Sequence, residues 1–376
     1  MSLGLFLKIL GLCLVVVCVC YVPWRINKLL GANRNRMVLI AQIIGLCMIV
    51  FYLIALENGL YASQNSFISV FYVTLALLWI FYIYVFLYLL LTHFFSVVSK
   101  KFLLIPARGI IVFGLVLCLG LTVYQFFQTQ KFIVKEYVIP VPGLTSEVKI
   151  FHFVDLNLGA FRGEAFLAKV LEEVESRNPD IVIYNGDIAN SNIALKEELF
   201  DMFQEVQAEQ YFTTGNHEFD IDTDRLISLL NRAGITFLRS SMVETKDIQL
   251  IGLEYMNGDP SDLYDPGARM MKELTIEETL PTIKRNRELP TILIHHSPIG
   301  LRHVAMGGID VMLSGNNHSG QKSPVTSIFR LSFPRYKGLL EVGHTIVLVS
   351  QGGGSYASWL RLSTSYEFEF VTLIPG

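Results

Sequence analysis

The chain has 376 residues, of which 52% are apolar, 12% aromatic and only 17% charged, well under the quarter usual for a soluble domain, so a disordered or polar-tail protein is excluded. The net charge of −3 hides an asymmetry, because residues 1–130 carry +7 with Glu57 as their only acid, while residues 131–376 carry −10. The acidic part offers no basic stripe, and no nucleic acid is expected as a partner.

The first third reads as a membrane domain, residues 1–130. Four apolar runs, Leu3–Pro23, Met37–Leu56, Phe67–Leu91 and Gly109–Phe127, are each long enough to cross about 30 Å of hydrocarbon. Arg25, Lys28, Arg34 and Arg36 fill the first connection, and Lys100, Lys101 and Arg108 the third; the middle connection, Glu57–Ser66, has no basic residue. By the positive-inside rule the basic connections face the cytoplasm. The expectation is a multi-pass integral protein of a plasma or inner membrane, with the lipid bilayer as partner and everything after Phe127 extracytoplasmic. All five cysteines (Cys13, Cys18, Cys20, Cys47, Cys118) fall in this third, which excludes a disulfide framework or a cysteine-held zinc in the remainder.

Residues 131–147, with Pro140, Pro142 and Gly143, read as a linker and edge strand. Val148–Val154 then alternates as a strand, and Glu164–Arg177 has helical periodicity through Phe166, Leu167, Val170, Leu171 and Val174. Asp180–Tyr184 is a buried strand, Ala194–Ala208 a helix and Tyr211–Thr213 a strand. Further strands are expected at Ile248–Leu253, Thr291–Ile294, Val311–Ser314, Thr345–Ser350 and Tyr366–Leu373. Such alternation argues for a layered α/β domain over residues 148–376.

Five polar clusters follow the carboxyl ends of expected strands, where α/β sheets place ligands. They are Asp155-Leu156-Asn157, Gly186-Asp187 with Asn190, Gly215-Asn216-His217-Glu218, His295-His296-Ser297-Pro298 and Gly315-Asn316-Asn317-His318. Carboxylates, amides and imidazoles together form a donor set for hard and borderline divalent metals.

The order of these clusters resembles the calcineurin-like metallophosphoesterase superfamily, whose pattern runs Asp-x-His, Gly-Asp-x-x-Asp/Asn, Gly-Asn-His-Asp/Glu, His-x-Pro, Gly-His-x-His. The tail, with Gln321, Gly338, Gly343 and Val349–Gly354, looks like its bacterial membrane-attached branch. The resemblance covers about residues 145–375. It implies two packed mixed β-sheets flanked by helices, and two divalent metal ions (Mn, Mg, Fe or Zn) over which a phosphate ester is hydrolysed. Carried over by position, it implies Asp187 as a carboxylate shared by both metals, Asp155 and His318 on the first, Asn216 and His296 on the second. His217 would serve near the leaving oxygen. His295, next to the matching histidine, reads as structural.

Two positions depart from the pattern: Asn157 and Asn316 stand where the family has histidine. Each metal thereby loses an imidazole, and three protein ligands per metal remain, enough for an open site. The leading reading is a membrane-anchored, two-metal phosphoesterase, with a lipid-linked substrate suggested by proximity to headgroups. The alternative is a degenerate domain that binds a phosphorylated ligand or a protein without turning it over.

Overall fold

The computed structural model describes residues 3–31, 34–57, 66–98, 106–128, 131–159, 162–258, 275–315, 337–353 and 366–376. They divide into two compact units, one built from the four N-terminal helices and the other from residues 129–376.

The helical unit contains α1 (Leu3–Leu29), α2 (Asn35–Glu57), α3 (Ser66–Val98) and α4 (Ala107–Gln128). Each covers one expected apolar run. α1 continues through Arg25 and Lys28, so part of the expected first connection is helix. Polar contacts tie α1 to α3, Arg25 to the Ser96 hydroxyl at 3.2 Å and Tyr21 Oη to His93 Nδ1 at 2.9 Å. Val22, Val85, Leu89 and Cys118 are buried against one another. Among the described residues, the exposed large apolar side chains lie in this unit except for Ile133, Val138, Met306 and Leu339. By length and composition, Ile80–Val98 suffices to cross a membrane; the apolar stretches Asn35–Met48 and Arg108–Tyr124 are shorter.

The second unit is two six-stranded mixed sheets. The first contains β1 (Ile133–Val141), β2 (Val148–Phe153), β3 (Ile181–Asn185), β4 (Glu209–Thr213), β5 (Thr236–Phe237) and β12 (Glu367–Pro375), in the order β1-β12-β2-β3-β4-β5. The second contains β6 (Ser241–Thr245), β7 (Ile248–Gly252), β8 (Thr291–Ile294), β9 (Val311–Ser314), β10 (Gly338–Val342) and β11 (Thr345–Val349), in the order β10-β11-β9-β8-β7-β6. β2, β3 and β4 are mutually parallel, as are β7, β8, β9 and β11.

Strand alternation sorts the side chains. Ile150, Ile181 and Ile183 from the first sheet meet Leu250, Ile292, Ile294, Leu313 and Leu348 from the second in one core. The opposite face of the first sheet carries an aromatic layer, Phe151, Phe153, Tyr184 and Phe368, with adjoining rings 4.6–5.3 Å apart. Helix α5 (Glu164–Arg177) buries Phe166, Leu167, Val170, Leu171 and Val174, and ends at Asn178 in the left-handed conformation. Short helices α6 (Glu197–Asp201), α7 (Thr223–Arg232), α8 (Ile276–Thr279) and α9 (Leu301–Met306) complete the unit.

The expected helix over Ala194–Ala208 is instead three pieces: a 3-10 turn at Asn192–Ala194, α6, and a second 3-10 turn at Met202–Glu205. Leu199, Phe200 and Phe203 are buried all the same. Apolar spacing over so short a stretch suits either helix type.

Candidate metal centre

The carboxyl ends of β2, β3, β4 and β8 converge where the two sheets meet. Just past β2 and β3 the backbone turns left-handed: φ is 56° at Asp155, 53° at Asn157 and 54° at Asp187. Asp and Asn tolerate this conformation better than most residues. The two loops stay zipped beyond the strands, with Asn157 N donating to the Asp187 carbonyl and Leu158 N to the Ile188 carbonyl, both at 2.9 Å. The turns bring the two aspartates together rather than letting them follow the strand directions.

The carboxylates of Asp155 and Asp187 and the imidazole of His296 are fully buried, with one ligand atom of each lying within 4.8 Å of the others. His296 Nε2 is 3.3 Å from Asp187 Oδ2 and 3.7 Å from Asp155 Oδ1. His296 Nδ1 donates to the Asn185 carbonyl at 2.6 Å, which leaves Nε2 aimed at the carboxylates. Asp187 Oδ1 accepts from the His217 N–H at 2.8 Å, and His217 Nε2 lies 4.0 Å from Asp187 Oδ2. His217 Nδ1 is 3.2 Å from Asp220 Oδ2.

The electrostatics follow from burial and neighbours. Burial pulls the His296 imidazole down, but Asp187 and Asp155 overcome it and hold the pKa at about 10. Burial likewise works against His217, and Asp187, Asp220 and Glu218 raise it to about 9. Asp187 would be pushed up by burial, yet His296 and His217 bring it well below the ordinary carboxylate range.

One organising residue carried no assigned role in the sequence. The buried Glu218 carboxylate accepts from the backbone N–H groups of Gly215 (2.6 Å), Asp187 (2.8 Å) and Ile188 (2.9 Å), clamping the β3 and β4 loops together. Burial and the Asp187 charge raise its pKa to about 7. The only signal for it was its place at the end of the Gly-Asn-His-Glu cluster.

A family model for calcineurin-like phosphoesterase matches residues 149–337, half of the chain. The chain belongs to the calcineurin-like phosphoesterase family. The chain is 28% identical over 246 residues to an uncharacterized metallophosphoesterase of Helicobacter pylori, an alignment covering 64% of each chain. It is 28% identical over 257 residues to an uncharacterized metallophosphoesterase of Aquifex aeolicus, covering 66% of this chain and 95% of the relative. A transmembrane protein with metallophosphoesterase domain from Danio rerio is 28% identical over 283 residues, 70% of this chain and 62% of that one. The match thus spans less than two thirds of the Helicobacter and Danio proteins.

The family implies a hydrolase of phosphate esters that uses divalent metal ions, and the described residues fit a cation. Asn216 Oδ1 is shielded from water and has no hydrogen-bond partner among the described residues, while the buried His296 Nε2 faces the carboxylates of Asp187 and Asp155. Buried polar atoms are rarely left so without a ligand to satisfy them. Space is reserved as well. A Cβ at Gly215 would collide with Asp187 Oδ1 and His296 Nε2, and one at Gly352, whose φ is +75°, with the Asp155 carboxylate.

Of the expected ligand positions, Asp155, Asp187 and His296 come together, and Asn216 sits in the loop between Gly215 and His217. Asn157 turns its amide nitrogen onto the Asp155 carbonyl oxygen at 3.2 Å. His318 and Asn316, together with Gln321, lie outside the described residues. His295 points away from the ligand cluster: its Nδ1 donates to the Ser297 carbonyl at 2.7 Å and its Nε2 accepts from Met256 N at 3.4 Å. That is the structural role expected of it.

Proposed function

We propose that the chain is a membrane-anchored phosphoesterase that hydrolyses phosphate esters by a two-metal mechanism. The observation that carries this reading is the buried convergence of Asp155, Asp187 and His296. Asp155, Asp187, Asn216, His296 and His318 would hold the divalent ions, with Asp187 shared. Bound there, the ions would supply charge to neutralise the phosphoryl oxygens and lower the pKa of water.

The protein's own residues perform the remaining work. His217, held at its Nδ1 by Asp220, keeps a proton at Nε2 at neutral pH because its pKa is about 9. That proton is available to the leaving oxygen, or to charge developing on it. Glu218 fixes the loop amides so that Asp187 and His217 keep their spacing. Asn185 fixes the His296 tautomer.

Residues 1–130 serve as a four-helix membrane domain in this reading, residues 131–147 as linker and edge strand, and residues 148–376 as the extracytoplasmic catalytic domain. The exposed apolar side chains of α1–α4 and the basic connections support it. β1 begins at the ligand-bearing end of its sheet: Lys135 pairs with Glu369, which pairs with His152, three residues before Asp155. A lipid-linked phosphate ester is the substrate proposed, because an anchored chain is confined to a bilayer.

The test is hydrolysis of an aryl phosphodiester by the full chain in detergent with Mn2+. Turnover should vanish on chelation and in Asp187→Ala. Absence of turnover with every divalent metal would overturn the enzymatic reading.

The Asn157 geometry favours a second reading, a domain that binds a phosphorylated ligand or a protein without hydrolysing it, because that side chain bonds to backbone. If Asn157→His with Asn316→His creates activity that the natural sequence lacks, the natural protein is a binder.

A further inference from the structure

Beneath the ligand cluster lies a buried polar floor that hydrolysis does not by itself require. His152 on β2, Asn185 on β3 and Glu369 on β12 are all fully buried. Asn185 Nδ2 is 3.1 Å from His152 Nε2 and donates toward the carbonyls of Leu313 at 3.0 Å and His295 at 3.4 Å. His152 Nδ1 stands 3.4 Å from Glu369 Oε2. Ser350, an electrostatic neighbour of Glu369, accepts from Gly352 N at 2.9 Å through its hydroxyl. Gly352 is the residue packed on Asp155.

The donor directions are determined. An amide nitrogen only donates, so His152 Nε2 accepts, and the proton of the neutral ring is on Nδ1, facing Glu369. The Asn185 side chain ties β3 of one sheet to β9 and the end of β8 in the other. Its main-chain carbonyl takes the His296 Nδ1 proton. A single residue thus fixes both the inter-sheet register under the site and the tautomer of His296. Three apolar side chains would occupy this space at lower desolvation cost. Asn185 Oδ1 is buried with no hydrogen-bond partner among the described residues, so the floor is not arranged for its own satisfaction.

We infer that Asn185, oriented by His152 and Glu369, is the positioning residue that holds His296 ready for a divalent cation. This rests on the reading of His296 as a metal ligand. Outer partners of a ligating histidine commonly contribute about ten- to a hundredfold to metal affinity.

The experiment is competition for Mn2+ between a chelator and the full chain in detergent. Asn185→Leu and His152→Phe should each weaken Mn2+ binding by about ten- to a hundredfold. His152→Gln, which returns an acceptor to face Asn185 Nδ2, should recover most of the loss. Gln249→Leu is the control. That buried residue bonds the Asn286 and Leu289 carbonyls at the opposite end of β7, so its loss should lower the melting temperature and leave Mn2+ affinity unchanged. If Asn185→Leu does not fold, the two His152 variants decide. Wild-type affinity in folded Asn185→Leu or His152→Phe overturns the inference, as does an equal loss in Gln249→Leu. Failure of the wild-type chain to bind any divalent metal overturns instead the underlying metal-centre reading.

Discussion

Asp187 and His217 are joined through the backbone: the His217 N–H holds Asp187 Oδ1 at 2.8 Å, which leaves Oδ2 as the oxygen facing His296. An amide can keep the first contact and cannot replace the second. Asp187→Asn should therefore fold and retain its circular dichroism, while losing at least about a hundredfold in Mn2+-dependent turnover. Normal turnover in a folded Asp187→Asn chain would remove Asp187 from the chemistry.

Glu218→Gln probes the loop clamp. Glutamine has one acceptor oxygen and would place an NH2 against backbone donors, so at least one of Asp187 N, Ile188 N and Gly215 N loses its partner. The expected cost is about 1–3 kcal/mol, read as a lower midpoint in thermal unfolding of the full chain. An unchanged midpoint would show that the clamp adds nothing.

Asp220→Asn tests the proton held on His217. Burial opposes protonation of that ring, and Asp187, Asp220 and Glu218 sustain it at a pKa of about 9. With the Asp220 charge gone, the protonated form is lost at lower pH. The alkaline limb of the pH–rate profile should move down by about one unit, and an unmoved limb would separate His217 from the rate.

His295 supplies a stability prediction with the opposite sign. Both ring nitrogens are committed to the neutral form, and burial lowers the pKa to about 4. Above the unfolded value near 6.5 its contribution is complete. As pH falls from about 6.5 to about 4 the unfolded chain gains a proton that the folded chain refuses, and stability is lost. His295→Gln should flatten the pH dependence in that window by about 1.4 kcal/mol per pH unit. Parallel curves for variant and wild type would contradict the assignment.

Legibility in the sequence depended on how local each determinant is. α5, β8 and β9 have the bounds expected from their apolar periodicity; strand-end placement marked the clusters that contain Asp155, Asp187 and His296, and the family resemblance picked those residues out of them. Glu218 escaped assignment because its partners Asp187 and Ile188 are about thirty residues away along the chain, and nothing local marks a carboxylate that caps distant amides. His152 and Glu369 lie within strands whose alternation gives burial but not pairing, and the contact between them depends on the β2–β12 register. No element was expected between Thr213 and Ile248, where α7, β5 and β6 occur. The β6–β7 hairpin there turns on left-handed Lys246 and Asp247, without the glycine that usually marks such a turn.

The left-handed backbone at Asp155, Asn157 and Asp187 makes these corners spring-loaded. Each stores about 1 kcal/mol, held in place by the hydrogen bonds between the two loops and by the Glu218 clamp. In the proposed centre, release of a cation and slackening of these corners would be coupled through Asp155 and Asp187.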